Sequence, residues 1–176
     1  MNCHIRKRNM SASDDILKIE HQEKLLRFTK FDEGDSWALG TQMRDAAAKS
    51  KLPLVIDIHV GPRQMFYACL PGTTPDNETW VRRKLNSVMR FQKSSYRLGQ
   101  ETSAKGGGFD ASRGIDIAEF ANAGGSFPIH IIGTGVVGAI TVSGIPQRDD
   151  HGFVVENICA YLKLDHAALA LGPETP

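Results

Sequence analysis

In the stretch Phe127 to Gln147, FPIHIIGTGVVGAITVSGIPQ, a short glycine turn joins two runs rich in β-branched residues. That arrangement predicts an antiparallel strand pair near the C-terminal end of the chain. Gly133 to Gly138 spell GTGVVG and match G-x-G-x-x-G, the fingerprint of a dinucleotide-binding turn. Such a turn must open a helix whose N-terminal amides hold the pyrophosphate. Here AITVSGI follows, which reads as strand, and too little of the 176-residue chain remains after Gly138 to complete a doubly wound sheet. NAD is disfavoured as a cofactor. The motif predicts a hairpin with Thr134 in its turn, and Gly138 is expected to leave room for a large group across the strands.

A second pair precedes it. LPLVIDIHVGPRQMFYACLPG holds two strand-like segments, 54–60 and 64–70, joined by Gly61, Pro62 and Arg63. Because strand side chains alternate faces, Leu54, Ile56, Ile58 and Val60 point one way and Val55, Asp57 and His59 the other. Asp57 and His59 thus share a face, roughly 7 Å apart along the strand.

Helical spacing predicts a first helix over 14–29, capped by Ser13 or Asp14, and a second from Thr41 to Pro53, preceded by an extended SWALG. A long amphipathic helix is predicted over 79–99. Val81, Leu85, Val88, Met89 and Tyr96 lie on one side, and Arg83, Arg90, Lys93 and Arg97 on the other. The basic stripe reads as a solvated face or as an anion- or subunit-contacting one. A glycine-rich loop, a short helix over 115–123, the two strands and a last helix over 150–164 capped by Asp149 or Asp150 complete the order.

Composition limits function. A formal net charge of +1 offers no global basic excess for phosphate backbones, so nucleic acid is not an expected partner. No apolar run is long enough to span a bilayer, and the basic opening MNCHIRKRNM reads as a frayed terminus. No membrane partner and a cytoplasmic setting are expected. Cys3, Cys69 and Cys159 lie too far apart for a zinc half-site and read as buried thiols in a reducing compartment. SAKGGG is not a phosphate loop, because its lysine precedes the glycines; no serine sits in a nucleophile elbow, no H-E-x-x-H occurs, and no metal is expected. The domain reading is one unit over 13–170, with 1–12 flexible and 171–176 frayed.

The strings WVRRK, SSY, GGSFPI and VSGIPQRDDH, set in the pattern from Leu52 to Leu164, resemble uncharacterised protein family 0303, a branch of the GlcG/HbpS-like haem-degrading superfamily. The resemblance implies an α/β fold, a profilin-like α/β/α sandwich with a central, mainly antiparallel sheet, and assembly as a homo-oligomer. It also implies a small-molecule ligand, with haem or another planar anionic compound as the candidate. Alternatives are a haem-degrading or other small-molecule enzyme using His and Asp as acid and base, and a scaffold for a protein partner. The candidate ligand-binding residues are Asp57, His59, Gly125, His130, Ser143, Asp150 and His151. A porphyrin would further require that the histidines and arginines converge on one slot.

Overall fold

A computed structural model describes residues 12–107 and 109–172. The calls on the flexible opening, including Cys3, and on the end of the tail lie outside these residues, apart from Ala12, Leu171 and Gly172. The described elements run α1 (Ala12–Leu25), α2 (Glu33–Lys49), β1 (Val55–Val60), β2 (Arg63–Cys69), α3 (Pro75–Phe91), α4 (Ser95–Ala104), β3 (Ser126–Ile131), β4 (Gly135–Ser143), α5 (Gln147–Leu162) and α6 (His166–Leu169), with one 3-10 turn at Ala111–Arg113.

Both predicted hairpins form, and they join as one four-stranded antiparallel sheet in the order β2-β1-β4-β3. Gly133 and Gly135 flank Thr134 with φ of 82° and 110°, in the left-handed region open to glycine at little cost. Gly138 makes room, but for backbone: a Cβ there would lie 2.0 Å from the carbonyl oxygen of His59 on β1. The glycines therefore serve strand pairing. The outer edge of β3 is extended by Phe28, whose N–H donates to His130 O at 2.9 Å and whose carbonyl accepts from Ile132 N at 2.9 Å.

Period-two alternation sorts the sheet into two faces. Ile56, Ile58, Phe127, Ile129, Ile140 and Val142 pack with Leu39 and Met43 of α2 and Val154 and Ile158 of α5 into the main core. The other face carries Val55, Asp57 and Thr141 beneath α3, which contributes the buried Val81, Lys84 and Val88. The result is the expected α/β/α sandwich.

Five of the helix readings differ from the structure. SWALG is helical, since α2 starts eight residues before Thr41 under a reciprocal capping box between Asp32 and Asp35. α1 starts at Ala12, placing Ser13 and Asp14 inside it, and stops at Leu25. The long basic helix is two helices: Gln92 adopts a left-handed φ of 54° and Ser94 caps α4, so Tyr96 and Arg97 belong to a new axis. Residues 115–123 form turns rather than a helix, with Asp116 Oδ1 accepting from Ala118 N in competition with helical bonding. α5 likewise begins at Gln147, just after Pro146, which leaves Asp149 and Asp150 in its first turn rather than before it. Cys159 is buried as expected, but Cys69 is exposed on the edge strand β2.

Candidate functional site

Strand β1 delivers Asp57 and His59 to the α3 side of the sheet, and the hairpin lays Tyr67 opposite Asp57 and Gln64 opposite His59. The first turns of α3, after Pro75, overhang them with Glu78, Thr79, Val81 and Arg82. Together these groups enclose a cavity of about 410 Å³, within the roughly 300–1,000 Å³ of small-ligand sites.

Asp57 is the fixed point of this cavity. Its side chain is 1% exposed, its Oδ1 accepts from Gln64 Nε2 at 2.7 Å, and its Oδ2 lies 2.6 Å from His59 Nδ1. Burial pushes the Asp57 carboxyl up from its ordinary range, against the opposing pull of Gln64 and His59. With Nδ1 facing the carboxylate, the imidazole turns Nε2 away from Asp57, and the ring lines the cavity at 20% exposure. Tyr67 Oη accepts a hydrogen bond from the Cys69 thiol at 3.3 Å. Arg82 is steadied by the Glu119 carboxylate and by Ala118 O at 3.2 Å.

The other predicted residues lie elsewhere. Asp150 is buried against Lys84, with Nζ to Oδ2 at 2.8 Å and the ammonium also donating to Val142 O at 3.0 Å. Burial pulls each of the two toward its neutral form, and their attraction opposes it. Gly125 packs onto this pair: at φ 122°, a Cβ there would stand 2.5 Å from Val142 O and 2.8 Å from Lys84 Nζ. Ser143 is buried on β4 opposite Val55. His151 is 1% exposed, packs beside Tyr96 and Phe127, and pairs Nε2 with Gln22 Oε1 at 2.8 Å. His130 stands at the β3 bulge, where burial and the nearby Arg27 lower its pKa. Of the seven residues, Asp57 and His59 are the two that line this cavity.

Gln64, Tyr67 and Lys84 were not among the predicted site residues. Lys84 had a legible signal: it lies three residues after Val81 and four before Val88, on the apolar side of α3, where an ammonium requires a buried partner. Each residue of the basic stripe has a contact within the chain, Arg90 donating to Gly114 O at 3.0 Å. Arg97 is held by Glu20, Glu23 and Glu101, Lys93 by Glu101, and Arg83 lies over the Trp80 ring at 4.5 Å. A larger cleft of about 680 Å³ runs between the start of α5 and the C-terminal stretch, walled by Ile145, Phe153 and Leu171 and bordered by His166. Among the described residues, no three His, Cys, Asp or Glu side chains gather to hold a metal ion, and no helix is long and apolar enough to cross a membrane.

The sheet, α3 and the cavity all fall within residues 31–159, which match the family described as haem degrading protein HbpS-like. The chain belongs to the HbpS-like family. Within it, the UPF0303 proteins are similar over almost their full length. That of Rhizobium meliloti (strain 1021) is 48% identical over 92% of this chain and 99% of its own, and that of Acidobacterium capsulatum is 44% identical over 92% and 98%. The crystal structure of the Ybr137w protein superposes with a TM-score of 0.75 at 27% identity, covering 84% of this chain and 87% of its own. HbpS itself superposes at 0.60 and 15% identity over 77% and 92%. PduOC, solved as a haem complex, does so at 0.62 and 14% identity over 77% and 97%. The last two likenesses establish a shared HbpS-like fold.

Proposed function

We propose that this HbpS-like chain is a small-molecule-binding protein that seats its ligand against His59, with haem as the first ligand to test. One observation carries the reading: a buried carboxylate grips His59 through Nδ1 at 2.6 Å, beside a cavity of about 410 Å³. An imidazole backed in this way has the chemistry of an iron donor, since the hydrogen bond at one nitrogen fixes the ring and raises the basicity of the other. Pro75, Val81 and Leu85 supply an apolar wall beside the donor. Haem in this place would supply iron for ligand binding or electron transfer, while the protein supplies the donor and the wall.

The test is a haemin titration followed at the Soret band. A saturable shift in the wild type that is lost in His59→Ala and retained in His151→Ala supports the reading. No saturable shift, or one indifferent to His59, removes haem from this cavity.

The same proposal includes one domain over 13–170, a cytoplasmic setting, which suits the exposed thiol of Cys69, and self-association. Trp37, Ile117 and Ile132, more than half exposed, support the last. Sedimentation of a 19.3 kDa species alone at micromolar concentration would overturn it.

A further inference from the structure

We infer that the Asp57–His59 cavity performs acid–base chemistry on a small hydroxy-carbonyl compound, with His59 as the base and Tyr67 as the proton donor to the carbonyl oxygen. This rests on the ligand-binding reading of the same cavity and names a substrate class for it.

Geometry supplies both partners. Asp57 uses one carboxylate oxygen on Gln64 and the other on His59, so it has no freedom to turn away from the imidazole. An imidazole that gives its Nδ1 hydrogen to this carboxylate offers the Nε2 lone pair. Tyr67 pairs directly with Asp57 across β1 and β2, which makes it a diagonal neighbour of His59 on one face of the sheet, and both line the cavity. Tyr67 Oη accepts from the Cys69 thiol, so its own O–H can point to another acceptor. The Cys69 contact and burial raise the phenol's pKa, so that proton passes to a strongly basic oxygen such as a developing enolate. Enolisation needs this combination of groups: one removes a carbon-bound proton while the other stabilises the oxygen on which charge collects.

Lining and size define the substrate. Gln64, Thr79 and Glu78 are hydrogen-bonding groups suited to hydroxyls, and Arg82 is already engaged by Glu119 and Ala118. A hydroxylated compound of a few carbons matches these groups. In the step, His59 Nε2 takes the proton from the carbon that bears the hydroxyl, next to the carbonyl. The C–H electron pair becomes the C=C bond of an enediol, and the carbonyl oxygen takes the Tyr67 proton. His59 then returns its proton to the former carbonyl carbon while the adjacent hydroxyl proton passes to the Tyr67 oxygen. The isomeric hydroxy-carbonyl leaves, and both residues are restored without an oxidant or co-reactant.

The experiment incubates the full-length protein in D2O with D-glyceraldehyde or dihydroxyacetone and follows isomerisation and carbon-bound deuterium by NMR. Both should exceed the buffer background and fall about 100-fold in His59→Gln. Tyr67→Phe should lower kcat about tenfold or more with KM within threefold. Asp57, a positioning residue, should behave likewise on Asp57→Asn and also shift the ring-nitrogen tautomer signals of His59. Added imidazole should restore part of the rate in His59→Ala, which separates loss of the base from loss of the fold. Haemin bound at Nε2 should suppress the exchange, since both need the same lone pair.

Exchange no faster than buffer with either compound, or exchange unchanged in His59→Gln, overturns the inference. If dihydroxyacetone shifts the His59 ring signals without deuterium entering, catalysis falls and ligand binding stands. If exchange depends on His59 while haemin fails to bind, the haem reading falls and this one stands.

Discussion

Lys84 and His151 show what a single residue costs and contributes in this interior. Lys84 and Asp150 are 3% and 2% exposed, so removing one leaves the other buried without its counter-charge. Lys84→Met should destabilise the protein by about 3–5 kcal/mol, whereas Lys84→Met with Asp150→Leu should recover most of that loss, as read from urea midpoints. A single variant costing under about 1 kcal/mol would show that the pair is not desolvated in solution. His151 acts through protons. Full burial, with Arg148 nearby, pulls its pKa down to about 3, against an ordinary value of about 6.5. The unfolded chain therefore binds the proton more readily, so the contribution is complete above about pH 6.5 and is lost as pH falls toward 3. The loss should run at about 1.4 kcal/mol per pH unit in that window. Other acid groups titrate there too, so the measurement is the difference in slope between wild type and His151→Gln. Parallel profiles would refute the assignment. Chemistry at this scale was partly legible. Period-two spacing put Asp57 and His59 on one face, but no local pattern says that Asp150 meets Lys84, 66 residues earlier in the chain, or that His151 meets Gln22.

Elements were legible where the pattern was local. Both hairpins followed from turn glycines and alternating faces, and the strand context read the glycine motif as the turn that joins β3 to β4. Helix ends were less legible because tertiary contacts decide them. Gly40 reads as the close of an extended piece, yet it sits inside α2, where Phe66 of β2, 26 residues further on, lies directly over it. A Cβ at this position would come within 2.3 Å of the Phe66 ring. Two effects compete in Gly40→Ala. Helix propensity favours alanine by about 1 kcal/mol, and overpacking opposes it by about 1–3 kcal/mol. Since the clash falls on a ring buried against α2 rather than on a flexible tip, overpacking should win, with a net loss of about 1–2 kcal/mol in urea unfolding. Gly40→Ala combined with Phe66→Leu should be milder than Gly40→Ala alone. A stabilised single variant would mean that α2 stands further from β2 than described.

Across the whole molecule, the two ends of the described chain are fastened to one another through α5. Arg148 donates to both Asp15 oxygens on α1, to Tyr96 Oη at 3.1 Å on α4 and to Gly172 O at 2.6 Å. Lys18 and Gln22 of α1 add bonds to the carbonyls of Ala168 and Leu169 at 2.6 and 2.8 Å. None of these links was foreseeable from composition, because each joins residues more than 140 positions apart or converges on one guanidinium from three directions. They flank the sandwich rather than build it: of the residues they join, Leu169 is the one that also reaches the core around Ile56, Ile140 and Ile158. Local stability follows such divisions, with peripheral units opening at lower free energy than the core. Hydrogen bonds to a charged group contribute about 1.5–3 kcal/mol, and Asp15 is only 5% exposed and would be stranded without its partner. Arg148→Met should therefore raise amide exchange roughly 100-fold in α1 and in 166–172 together. Exchange in β1 and β4 should hardly change, and the isomerase and haemin readouts at His59 should persist, because the cavity lies on the opposite face of the sheet from α5. If exchange rises in one end alone, Arg148 is not the common tie; if it rises equally in β1 and β4, the ends and the sheet open as one unit.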